Sequence, residues 1–76
     1  MNEKKRRRLN LAKDLLSQAS GIVDDVLQEE SDSLENLPES IKESERGQKM
    51  EAAIDSMQDA IDSINDATQS LDEVVN

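Results

Sequence analysis

Four regularly spaced carboxylates near the carboxyl end are the side chains with the clearest capacity for chemistry. They are Asp55, Asp59, Asp62 and Asp66. Separations of four, three and four residues place side chains on one face of a helix. Such a face can bind a cationic groove that otherwise receives phosphates, or it can simply keep a small protein in solution. Both interpretations are compatible with the sequence.

A second group of charged side chains is basic and lies at the amino end. Its members are Lys4, Lys5, Arg6, Arg7 and Arg8. They are candidates for contact with phosphate or nucleic acid, unless the acidic end of a neighbouring helix neutralises them. Residues 14–76 carry 17 acidic and three basic side chains. Repulsion between this acidic body and a phosphate backbone therefore disfavours direct nucleic-acid binding.

The residue types that the sequence lacks exclude most catalytic chemistry. There is no His, Cys, Trp, Tyr or Phe, so the commonest general base and every thiolate ligand are missing. No carboxylate spacing resembles a calcium-binding loop. We therefore expect a protein that is not an enzyme, with no catalytic, cofactor-binding or metal-ligating residue. No stretch is apolar enough to cross a bilayer, so we expect no membrane partner.

Apolar residues recur at helical spacing in the first part of the chain and predict a helix over residues 3–30. The predicted seam is spaced 3-4-3-4-3 and consists of Leu9, Ala12, Leu16, Ala19, Val23 and Val26. Leu15, Ile22 and Leu27 widen it to a stripe suited to a helical bundle. Gly21 costs about 1 kcal/mol relative to alanine, so we expect a continuous helix with a weak point there.

Residues 31–39 are rich in Ser, Asp and Asn and predict a connection. Pro38 disfavours helical backbone at Leu37. Ser40 and Glu43 match a capping box, which predicts that helix resumes at about residue 40. We expect either one helix or a short helix followed by a long one over residues 40–75, with Gly47 allowing a bend or a close crossing.

The last segment carries the most regular pattern of the sequence. Its seam is spaced 4-3-4-3-4-3-4 and consists of Met50, Ile54, Met57, Ile61, Ile64, Thr68, Leu71 and Val75. A set of small residues, Ala53, Ala60 and Ala67, flanks this seam. Small flanking residues let neighbouring helices approach closely, which favours a bundle of three or more helices.

Two helices of about equal length joined by a short connection predict an all-α antiparallel hairpin. Residues 1–8 then form a basic tip, and residues 9–76 form one hairpin domain. One hairpin cannot cover both apolar stripes, so we expect self-association into a dimer or higher oligomer, a four-helix or larger bundle. The candidates for the oligomer core are Leu9, Leu16, Val23, Ile54, Met57, Ile61, Ile64 and Leu71.

The corner of the predicted hairpin reads Leu37-Pro38-Glu39-Ser40, then Glu43-Ser44-Glu45-Arg46-Gly47 and Met50, and the Ala-Ile-Asp repeats follow it. This pattern resembles very short helical proteins of Gram-positive phages and prophages. The resemblance covers about residues 34–66, and its specific part runs from 37 to 50. It implies a mobile-element origin and the cytoplasm of a bacterial host, and it supplies no catalytic residue. It also makes Glu43, Glu45 and Arg46 interaction candidates, unless they only build a hairpin corner.

Three functions from different classes remain compatible with the sequence. The first is a non-catalytic interaction protein that binds a host or phage macromolecule, with a protein as the expected partner, as an inhibitor of a bacterial defence system through its acidic face. The second is an oligomeric binder of a small anionic ligand such as a cyclic nucleotide, held by Arg6, Arg7, Arg8 and Arg46. The third is a purely structural coiled-coil adaptor.

Overall fold

The computed structural model describes all 76 residues, and its only regular secondary structure is helical. Helix α1 runs over Glu3–Glu35, α2 over Glu39–Lys42 and α3 over Glu45–Val75. The all-α class and the short middle helix are therefore confirmed. None of the three helices is both long enough and apolar enough to pass through a lipid bilayer.

Helices α1 and α3 pack side by side in opposite directions. Lys13 near the start of α1 forms an ion pair with Asp72 near the end of α3. At the other end, Leu34 of α1 and Glu51 of α3 line the same shallow groove. The result is an antiparallel hairpin that measures 58 × 15 × 13 Å, as the connection length predicts.

Helix α1 extends to Glu35, past the end expected near residue 30. The seam explains the difference, because Leu34 lies seven residues after Leu27 and continues the same apolar face. Its amino end is capped by the Asn2 side chain, which accepts a hydrogen bond from the Lys5 backbone N–H at 2.8 Å. Helix α1 ends at Glu35 with Asn36 as its C-cap, two residues before Pro38.

The corner between the helices is built around Pro38 and Gly47. Helix α2 begins at Glu39 with Pro38 at its N-cap and no side-chain cap, so the capping box predicted at Ser40 is wrong. The fixed φ of proline favours a helix start at this point. Gly47 is buried in the first turn of α3 and does not break it. A Cβ there would overlap the Lys42 carbonyl, which confirms the close crossing.

The predicted seam of α3 is confirmed along its whole length. All eight of its residues are half-buried against α1, whereas the flanking alanines are exposed. Thr68 is the one polar member, and its Oγ1 donates to the Ile64 carbonyl at 3.0 Å. This bond satisfies the hydroxyl within its own helix.

The seam of α1 follows a different phase from the predicted one after Leu16. Ser20 and Leu27 face α3, whereas Ala19 and Val26 are exposed. Leu27 is 7% exposed, and it is the one apolar side chain that the hairpin buries. The observed phase places Leu27 and Leu34 on the contact, and two leucines remove more apolar area from water than Val26 and Ser33 would.

Candidate functional site

The carboxylate stripe, defined as Asp55, Asp59, Asp62 and Asp66, lies on the exposed outer face of α3. The seven-residue repeat of the seam places these positions away from α1. Gln58 Nε2 donates to Asp62 Oδ1 at 3.2 Å, and this is the one side-chain hydrogen bond within the stripe. The structure thus presents four carboxylates on one accessible surface, as the spacing predicts.

No basic side chain of the hairpin neutralises the carboxylate stripe. The ion pairs of the protein join Lys13 to Asp72, Lys42 to Glu39 at 3.6 Å and Lys49 to Glu45 at 3.2 Å. Like charges four residues apart destabilise an isolated helix by about 0.2–0.5 kcal/mol per pair. The stripe therefore carries a local cost in stability, which packing of the opposite face of α3 against α1 offsets.

The corner candidates have separate environments. Glu43 caps the carboxyl end of α2 and is exposed. Glu45 is held by Lys49 one turn further along α3. Arg46 makes no ion pair and lines a shallow groove with Glu30 and Met50. These three residues lie beside one another in the chain, and the structure does not bring them together with the carboxylate stripe.

The basic tip includes the first turns of α1, and its five basic side chains, at residues 4–8, are exposed without an ion pair. Since Lys13 already lies opposite Asp72 near the end of α3, the tip lies beyond Val75. The expected neutralisation by the end of α3 therefore applies to Lys13 and not to residues 4–8.

The candidates for the oligomer core all lie on the contact between α1 and α3 of one chain. Each is half-buried there, so the hairpin covers these side chains in part and leaves the rest of their surface to solvent. Their assignment to contacts between copies stays a prediction.

Sequence reasoning missed a second apolar surface, because it treated Leu15 and Ile22 as a widening of the seam. Leu15 is 56% exposed and Ile22 is 65% exposed. Leu11, Val26 and Val74 are also exposed. The spacing of residues 11, 15, 22 and 26 indicates this second surface, because these positions lie on one helix face offset from the seam.

Carboxylates are abundant in the hairpin, but no group of three or more acidic side chains converges in a way that could hold a metal ion. The arrangement instead offers three separate surfaces, which are acidic, basic and apolar. Comparisons with protein-family models, with curated proteins and with solved structures find no match for this chain.

Proposed function

We propose that this protein is a non-catalytic interaction protein that works as a homo-oligomer and binds a macromolecular partner through the carboxylate stripe. The observation that carries the proposal is the exposure of four carboxylates that no basic side chain of the hairpin pairs. Unpaired, regularly spaced charges on a rigid helix favour association with a surface of opposite charge.

The dimensions of the stripe suit a groove that binds nucleic acid. From Asp55 to Asp66 the helix rises about 16 Å, at about 1.5 Å per residue. Neighbouring charges are then about 4.5–6 Å apart along the helix axis, of the same order as the spacing of about 3.4 Å per phosphate along one strand of a duplex. We therefore infer that the partner is a protein with a basic groove, in which the stripe replaces a phosphate backbone.

The biological setting that we propose follows from the resemblance of residues 37–50 to short proteins of Gram-positive phages and prophages. In that setting the protein acts in the cytoplasm of a bacterial host and inhibits a defence system whose nucleic-acid groove it occupies. Size and charge are the support for the inhibitory role, and both are compatible with it.

The test replaces Asp55, Asp59, Asp62 and Asp66 by Asn and uses each protein as bait in a lysate of a Gram-positive host. We expect the wild-type protein to retain a nucleic-acid-binding protein that added duplex DNA releases. The Asn variant should lose this retention, because the charges that attract the groove are gone. Circular dichroism checks that the helical content of both proteins is equal.

A control variant removes the same number of charges from other exposed positions. It carries Asp14→Asn, Asp24→Asn, Asp25→Asn and Glu51→Gln, and we expect it to retain the partner. Retention by the stripe variant would contradict the proposal and favour a structural adaptor. Absence of any protein that duplex DNA releases from the wild-type bait would equally overturn it.

A further inference from the structure

The exposed apolar side chains of the hairpin gather on one of its two sides. In α1 the seam residues Lys13, Ser20 and Leu27 recur every seven residues. The positions immediately before them hold Ala12, Ala19 and Val26. In α3 the corresponding positions before the seam hold Ala53, Ala60, Ala67 and Val74. Two antiparallel helices that face each other are mirror images in cross-section, so these two sets lie on the same side.

The opposite side of the hairpin is polar. There the flanking positions are Ser17, Asp24 and Ser31 in α1, and Glu51, Gln58, Asn65 and Asp72 in α3. Leu15 and Ile22 also belong to the apolar side, and each keeps more than half of its surface exposed. We call this side the apolar strip, defined by Leu11, Leu15, Ile22 and Val26 of α1 with Ala60, Ala67 and Val74 of α3.

We propose that the apolar strip binds a second copy of this chain, with the two α1 helices antiparallel across a two-fold axis between Gln18 and Ala19. This inference rests on the homo-oligomer of the proposed function and assigns its interface. In this register Leu15 lies opposite the partner's Ile22, and Leu11 lies opposite the partner's Val26. An interface of this kind is self-complementary, as two-fold symmetry requires.

Charge fixes the orientation of the two copies. Arg8, Leu15, Ile22 and Glu29 follow one another at seven-residue intervals, so they lie along one line of α1. The antiparallel register places Arg8 opposite the partner's Glu29, and two-fold symmetry repeats this pair, so it occurs twice in the dimer. A parallel arrangement would instead bring two basic tips together, where like charges repel.

The wider charge distribution favours the same orientation. The axis between residues 18 and 19 places the basic tip of one copy beside the acidic end of α1 in the other. That end carries Glu29, Glu30, Asp32 and Glu35, and no basic residue lies between positions 14 and 41. The basic side chains of the tip lack an intramolecular partner, and Arg8 is the one among them on the line of α1 that would face opposite charge in the partner.

The area that a dimer needs is a modest fraction of the surface of the hairpin. A stable interface buries about 800 Å² per partner, which is about one-seventh of the 5580 Å² that this chain exposes. The contact from Arg8 to Glu29 spans about 32 Å of helix at about 1.5 Å per residue. A single chain buries only Leu27 and Gly47. Dimerisation would add buried apolar surface, and domains of this size need such additional stabilisation.

The experiment exchanges the charges of the proposed pair and measures the dimer dissociation constant of the full chain by sedimentation equilibrium. Arg8→Glu alone places two carboxylates opposite each other, and Glu29→Arg alone places two cations there. We expect each single variant to weaken dimerisation about tenfold or more, since attraction becomes repulsion at two symmetric sites. The double variant Arg8→Glu with Glu29→Arg should restore the wild-type constant.

Arg7→Glu is the matched control, because it makes the same change in charge one residue away, on a line of α1 turned by about 100°. It should leave the dissociation constant nearly unchanged. Ile22→Asp should abolish the dimer, because it places a charge at the centre of the strip. Circular dichroism of each variant separates loss of association from loss of helix.

Two results would overturn this interface. One is a wild-type chain that remains a monomer up to hundreds of micromolar, which also removes the homo-oligomer. The other is a dimer in which Arg8→Glu, Glu29→Arg and their combination behave alike, in which case the homo-oligomer stands and this register fails. Neither result bears on partner binding, because the carboxylate stripe lies on another face of α3.

Discussion

Lys13 and Asp72 form the one ion pair that joins α1 to α3. Their side chains keep 25% and 44% of their surface exposed, so solvent screens the pair and limits its contribution to about 1 kcal/mol or less. Lys13 nevertheless occupies a seam position, where its methylene groups cover apolar surface while the ammonium reaches Asp72. At the residue scale this pair contributes mainly to the alignment of the two helices.

Substitution by alanine should have opposite effects on the melting temperature at the two glycines. Gly21→Ala should raise the melting temperature, because nothing lies within 4 Å of the added Cβ and alanine stabilises a helix by about 1 kcal/mol over glycine. Gly47→Ala should lower it, because the Cβ would meet the backbone of Lys42 and the corner must open. For a domain of this size, about 1 kcal/mol corresponds to about 4–8 °C.

Thermal unfolding followed by circular dichroism at one protein concentration compares these two variants with the wild type. A Gly47→Ala protein that melts above the wild type would contradict the close crossing. A Gly21→Ala protein that melts below it would show that Gly21 has a packing role that the hairpin does not reveal.

At the scale of elements, α1 is a helix with two apolar faces and α3 is a helix with one. Polar residues and small alanines separate the seam positions of α3. Between Met50 and Leu71 these alanines are the only exposed apolar neighbours of the seam. Helix α1 places large side chains on two lines, and only one of them can face α3. The second line is exposed for this reason, and it supplies most of the apolar strip.

Leu27 tests the phase of the α1 seam. Leu27→Ala should destabilise the protein by about 2–3 kcal/mol, since it removes the most buried apolar side chain of the hairpin. Leu27→Met keeps the volume and should cost less than about 1.5 kcal/mol. Urea unfolding monitored by circular dichroism gives both values. Equal midpoints for Leu27→Ala and the wild type would contradict the observed phase.

At the scale of the whole molecule, the hairpin is a rod with a basic end, an acidic outer face and one apolar side. The axis proposed for the dimer lies close to the middle of α1, which spans Glu3–Glu35. Two copies should therefore overlap along nearly their whole length. Association thickens the rod and does not extend it, and the outer face of each α3 stays accessible.

Small-angle X-ray scattering measures this shape. The dimer should keep a longest dimension near the 58 Å of one hairpin, while its mass doubles and its cross-section widens. Association through the basic tips, or of a tip with a distant corner, would instead give a particle of nearly twice that length. A doubled longest dimension would thus exclude the proposed register, whatever the stoichiometry.

The sequence by itself determined the helices and the hairpin. The unbroken repeat from Met50 to Val75 fixed the face of α3, because every seam position except Thr68 is apolar and one period fits them all. Pro38 fixed the connection to within a few residues, because its ring excludes helical backbone before it. The exposure of the carboxylate stripe followed from this face, since the four carboxylates lie away from the seam on the same helix.

The tertiary structure decided which residues of α1 lie inside. Both phases of its seam share Leu9, Leu16 and Val23, and local spacing cannot choose between Val26 and Leu27. The choice depends on how much area each phase buries against α3 as far as Leu34, a contact between residues distant in the chain. The same choice leaves Leu15 and Ile22 exposed, so the apolar strip exists only once two helices have been placed together.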